Sequence, residues 1–159
     1  MRIVFLALSM TAALAAQQKY DGPRPPKADV PYLLHASNLV PVDVDEAQED
    51  KRKDGMAYIT PGVSAKARTP LAEPIFLFET KKIAPERLSL YKMDAKSGSR
   101  EVFFYEDPKK RKGSAKALRL SATKVAQGLY RLEPTEPLPN GEYALTPADS
   151  NTVFSFTIY

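Results

Sequence analysis

Residues 129–159 read LYRLEPTEPLPNGEYALTPADSNTVFSFTIY, and this stretch decides the fold. In Thr152–Tyr159 the side chains of Val153, Ser155, Thr157 and Tyr159 fall on one side. Phe154, Phe156 and Ile158 fall on the other, which is the period of two of a strand with one apolar face. Glu142–Thr146 forms a second strand, with Tyr143 and Leu145 on a common face, and Pro147-Ala-Asp-Ser-Asn151 supplies the turn between the two. Leu129–Glu133 forms a third, closed by Pro134, Pro137, Pro139 and the Asn140-Gly141 pair. The stretch predicts three antiparallel strands side by side.

Working upstream, Lys116–Ala122 alternates, with Leu118, Leu120 and Ala122 inward, and Thr123–Gly128 reads as a turn. Leu88 and Leu90 share a face of a strand that turns at Asp94–Ser99 and returns through Arg100–Tyr105 as a hairpin, before Pro108 and the basic Lys109–Gly113 loop. Ile75-Phe-Leu-Phe78 leaves a strand no polar face, so it belongs in the middle of a sheet or under cover on both sides. Met56–Ile59 is a short strand between turns at Asp54-Gly55 and Pro61-Gly62. The charged run Glu46–Lys53 is compatible with a helix carrying Glu49 and Lys53 at four-residue spacing, with an exposed hairpin arm, or with a loop. Tyr32–Ala36 and Leu39–Val44 are two strands or one bent strand, with Pro41 requiring an edge or a bulge.

The N-terminal residues 1–16 carry a positive start at Arg2, a short apolar run and small residues at Ala13 and Ala15. That pattern predicts a secretory signal peptide and not a membrane span, with cleavage after Ala15 or Ala16. Residues 17–29, with Gly22-Pro23-Arg24-Pro25-Pro26, read as a flexible Pro-rich leader, and residues 30–159 as a single domain. The chain has no Cys, which removes disulfides, a thiol nucleophile and thiolate metal sites. A formal charge of +4 on 23 basic and 19 acidic residues is too nearly balanced to indicate nucleic acid.

Asn140-Gly141-Glu142-Tyr143-Ala144-Leu145 resembles the turn and strand entry of immunoglobulin-like domains, in which the tyrosine forms a corner. Leu138 occupies the acidic position of that motif, and the Cys pair and core Trp of antibody domains are absent. The segment from Leu129 to Leu145, with Phe154–Ile158, is similar to the tails of uncharacterised exported bacterial proteins. That resemblance implies a secreted or periplasmic all-β module and transfers no catalytic or ligand residue. Together the elements predict an all-β chain, an immunoglobulin-like antiparallel β-sandwich of seven or eight strands.

No serine sits in a nucleophile elbow and no glycine-rich phosphate loop is present. His35 is the only histidine and reads as a partly buried, hydrogen-bonded residue, so no metal site and no cofactor are predicted. Asp43, Asp45, Glu46, Glu49 and Asp50 could collect calcium, but their spacing is not that of an EF-hand and Lys51-Arg52-Lys53 adjoins them. Glu79, Glu101 and Glu142 read as outward or edge charges. Two surface candidates remain: Lys109, Lys110, Arg111 and Lys112 as a contact for an anionic partner, and exposed tyrosines, Tyr58, Tyr91 and Tyr105 with Tyr20 and Tyr32, as a glycan contact. The expectation is an exported, non-enzymatic structural or protein-binding module of the cell envelope, partnered by an envelope protein or by itself. The alternative is a carbohydrate-binding module.

Overall fold

The computed structural model describes residues 19–159, so the predicted signal peptide lies outside the described residues. Thirteen strands follow one another: β1 Pro31–His35, β2 Asn38–Pro41, β3 Asp43–Glu46, β4 Gln48–Arg52, β5 Gly55–Pro61, β6 Arg68–Thr69, β7 Phe76–Glu79, β8 Leu88–Lys96, β9 Ser99–Tyr105, β10 Leu120–Ala126, β11 Leu129–Pro134, β12 Gly141–Pro147 and β13 Thr152–Ile158. Among the described residues the only helices are single turns at Pro85–Arg87 and Arg111–Gly113. The chain is therefore all-β, with more and shorter strands than the seven or eight expected.

The strands form two sheets. One has five strands in the order β10-β11-β7-β1-β2 and the other eight, in the order β3-β13-β12-β8-β9-β5-β4 with β6 beside β13. The sheets pack in a sandwich over Leu33, Phe76, Phe78 and Leu132 from the first and Leu88, Leu90, Tyr143, Leu145, Phe154 and Phe156 from the second. Apolar alternation in β12 and β13 places these side chains on the shared face. Rings fill the centre, with Phe76 edge-on to Phe156 at 4.9 Å and Tyr143 stacked on Phe156 at 5.6 Å. As its run of apolar residues requires, β7 is central, held between β1 and β11.

The eight-stranded sheet is rolled. Its outermost strands β3 and β4 are consecutive in the chain, separated only by Ala47, so the two ends of the hydrogen-bonded path meet through one residue. Ala47 N–H donates to Asn151 O at 2.8 Å and fixes that seam. The rolled interior gathers a second apolar cluster of Ala47, Met93, Val102, Ala144 and Val153, flanked by Tyr58, Tyr91 and Phe104.

Three expectations are corrected by this geometry. First, β11 does not pair with β12: it lies in the five-stranded sheet between β10 and β7, because the proline-rich stretch after it cannot sustain a ladder and carries the chain across. Second, the strand read at Lys116–Ala122 runs instead over Leu120–Ala126, and Leu118 makes only an isolated antiparallel bridge to Leu90. The turn there is confined to Gln127-Gly128, with Gly128 at φ +70°. Third, β13 has no solvent face: Val153, Ser155 and Thr157 are buried in the rolled interior while Phe154, Phe156 and Ile158 face the sandwich. The charged run resolves as the hairpin arm β4, paired with β5. Gly55, just after the β4–β5 turn, is needed there, since a Cβ would lie 2.0 Å from Phe104 O.

Candidate functional site

Strand alternation decides what faces the rolled interior. In β5 it points Met56, Tyr58 and Thr60 inward, and the pairings Met56 with Phe104, Tyr58 with Val102 and Thr60 with Arg100 carry that face onto β9. Pairings of Tyr91 with Ala144 and Ser89 with Thr146 continue it across β8 and β12. The result is a cleft of about 700 Å³ opening at one end of the roll. Tyr58 and Tyr91 stand edge to face with Phe104, at 5.9 and 5.6 Å between ring centroids and 80° and 89° between planes, so the walls meet as corners and not as one flat platform. The rim is polar, carrying Glu49 from β4, Glu106 after β9, and Asp149, Ser150 and Asn151 from the β12–β13 turn. Among the described residues that line the cleft there are three carboxylates and no Lys, Arg or His.

Those carboxylates are engaged but stay at the surface. Glu49 Oε1 accepts from Asn151 Nδ2 at 3.2 Å, Asp149 Oδ2 pairs with Arg87 at 2.5 Å, and Glu106 pairs with Lys51. Exposed ion pairs of this kind contribute little and leave lone pairs free for a ligand.

The inner end is closed by a buried charge. Arg100 is only 2% exposed; its Nε donates to Gly62 O at 2.9 Å and its Nη2 to Pro61 O at 3.0 Å. Its Nη1 stands 3.6 Å from Glu142 Oε2, with Asp45 at 4.0 Å from Nη2. The Glu142 carboxylate also accepts from Thr157 Oγ1 at 2.9 Å and from Ala65 N–H at 3.0 Å. Glu142 is thus a buried partner of Arg100 and not the outward charge its sequence position indicated. Thr60 Oγ1 and Ser155 Oγ are buried nearby in the same interior and make no hydrogen bond among the described residues.

Of the residues singled out in the sequence, Tyr58, Tyr91 and Tyr105 all line this cleft. Tyr105 also stacks edge-on to Phe103 at 4.8 Å on the outer side of β9. Tyr32 is not exposed but buried at 4%, beneath the five-stranded sheet's outer cover, and Tyr20 donates its hydroxyl to Pro23 O at 2.8 Å. Lys109, Lys110, Arg111 and Lys112 lie on an exposed loop after β9 and are not part of the cleft lining. Lys110 pairs with Asp54 at 2.8 Å, and that hydrogen bond raises its pKa. The acids of residues 43–50 are divided among separate partners. Asp43 accepts from Lys66 and Ala67 N–H at 2.7 and 3.2 Å, Glu46 from Thr152 at 2.7 Å, and Asp50 from Arg52 at 2.8 Å. Glu79 pairs with Arg24 and Glu101 with Arg52, whose hydrogen bond lowers the Glu101 pKa. His35 ends β1 with a buried Nε2 that makes no hydrogen bond among the described residues, in contrast to the bonded state expected.

A second depression, of about 740 Å³, lies between the leader and β2, lined by Arg24, Lys27, Tyr32 and Leu39. It rests partly on irregular backbone, whereas the rolled cleft is framed by six paired strands, the better support for a binding geometry. No family model, no curated protein and no solved structure matches the chain.

Proposed function

We propose that the protein is an exported, non-enzymatic binding module of the cell envelope, and that the rolled cleft is its recognition site, with a glycan as ligand. One observation carries the reading: Tyr58 and Tyr91, distant in sequence, converge with Phe104 on one concave surface whose rim offers hydroxyl, amide and carboxylate groups, while Tyr105 borders the mouth with its ring turned to the outer side of β9. Aromatic walls receive the C–H faces of a sugar, and the rim exchanges hydrogen bonds with its hydroxyls. Export is supported by the pattern of residues 1–16. Kinship with immunoglobulin-like sandwiches is supported by the corner at Tyr143, whose hydroxyl donates to Pro139 O at 2.6 Å. The rolled second sheet elaborates that plan.

The test is a glycan array with residues 17–159, followed by titration calorimetry of the best ligand. Tyr91→Ala is expected to weaken binding by about tenfold, the loss of roughly one aromatic contact. Absence of any retained glycan, or an unchanged affinity in Tyr91→Ala and in Phe104→Ala, overturns the reading. A second reading, protein association, is favoured by the open outer edge of β10, where the five-stranded sheet ends. The exposed Lys109, Arg111 and Lys112 would then serve an acidic partner. Retention of an envelope protein that is lost on changing Lys109, Lys110, Arg111 and Lys112 to Ser would favour it over the glycan.

A further inference from the structure

We propose that the sugar seated in the cleft is cationic, an amino sugar whose amine is free and not acylated; this rests on the glycan reading above. The charge of the lining runs against that of the chain. The protein carries a formal +4, yet the described residues of the cleft include Glu49, Glu106 and Asp149 and no base. A neutral sugar can hydrogen-bond those carboxylates but gains no net Coulombic attraction from them, and an acidic one is repelled. An ammonium group gains twice: from the carboxylates of the rim, and from the negative ring faces of Tyr58, Tyr91 and Phe104.

The counter-charges lie outside the lining. Lys51 pairs with Glu106 and Arg87 with Asp149, both as exposed contacts, and neither base lines the cleft. Among the described residues Glu49 has only the neutral amide of Asn151 as its side-chain partner. Farther in, Arg100 is matched by Glu142 and Asp45, so the inner end presents no net positive charge to a ligand. A second, independent feature points to a polar occupant. Thr60 lines the cleft with a fully buried hydroxyl that has no hydrogen-bond partner among the described residues, an unsatisfied polar group that a ligand hydroxyl pressed into the inner end would complete. An aromatic wall, a free hydroxyl below it and an acidic rim above it together fit a ring with an apolar face, hydroxyls and one positive charge.

The experiment is calorimetric titration of residues 17–159 with three trimers of equal linkage: glucosamine, N-acetylglucosamine and glucose. The glucosamine trimer is expected to bind about tenfold more tightly than either of the others at low salt. Its advantage should shrink on raising the ionic strength, and should be lost in the double variant Glu49→Gln, Glu106→Gln. Equal or tighter binding of the acetylated or neutral trimer overturns the inference while leaving a glycan site in place. An advantage that survives the double variant assigns the cation to some other surface and likewise overturns it. If none of the three trimers binds, and the glycan array is also blank, the glycan reading falls together with this one.

Discussion

Asp29 shows how one side chain can organise a corner that the sequence left as leader. It sits in the left-handed region at φ +62°, and its Oδ1 accepts the backbone N–H groups of Lys81, Lys82 and Ile83 at 3.0, 2.9 and 3.0 Å. Burial pushes its carboxyl up, but the N–H groups of Ile83, Lys82 and Lys81 outweigh burial and hold it below the usual carboxylate range. With a folded pKa below the unfolded one, its contribution is complete above the unfolded value near 4 and is lost as pH falls through the folded value. Asp29→Ala is expected to cost about 2–3 kcal/mol at neutral pH, from lost charge-assisted bonds and a Cβ residue in left-handed backbone without a side-chain acceptor. Urea unfolding of both proteins from pH 7 to pH 3 checks this, and the gap between them should narrow below about pH 4. A gap that is absent at pH 7 would remove Asp29 from any role in holding the corner.

Among the elements, β13 was the most legible and still half misread. Its alternation identified Phe154, Phe156 and Ile158 as core, and they are buried. Phe156→Ala should therefore destabilise by about 3–5 kcal/mol, since the ring lies between Phe76 and Tyr143 and neither can collapse into the hole without losing its own contacts. A shift in urea midpoint equivalent to less than about 1 kcal/mol would place Phe156 outside the core. The burial of Val153, Ser155 and Thr157 was not legible, because it follows from the rolling of the sheet, a property of strand order that no local pattern records. Pro134 at the end of β11 and Pro137 and Pro139 after it were read as a hairpin connection, yet proline content marks only where a ladder stops and not which sheet the chain enters next. The candidate site divides in the same way. Tyr58, Tyr91 and Tyr105 were legible as ring-bearing strand residues, but the meeting of Tyr58 and Tyr91 at Phe104 required β5, β8 and β9 to be neighbours, and the ring of Tyr105 falls on the outer side. Phe104 went unassigned because in the sequence it is only one apolar residue of the Arg100–Tyr105 return strand. The inward alternation of Met56, Tyr58 and Thr60 was the available signal that β5 faces an enclosed space.

At the scale of the whole molecule, the sandwich is carried by apolar packing and the roll by both packing and charge. Arg100 joins β9 to the backbone after β5 and stands against Glu142 of β12, so one guanidinium spans opposite walls of the roll. Arg100→Leu should cost about 3–5 kcal/mol, because Glu142 is left buried without its counter-charge. The double variant Arg100→Leu, Glu142→Leu should recover much of that loss, and denaturant unfolding of the two compares them directly. A double variant no more stable than the single one would show that the backbone bonds to Pro61 and Gly62, and not the charge pair, are what the roll requires.

The seam at Ala47 limits how such a molecule can change its ligand. One added residue at that point would break the run of β3 into β4 and displace the Ala47 N–H bond to Asn151 O, although the tight turn at Lys53-Asp54 would keep Gln48–Arg52 in register with Gly55–Pro61. Diversification is therefore pushed to Ala148–Ser150 of the neighbouring turn, which carries no ladder pairing, while Asn151 keeps its carbonyl on Ala47.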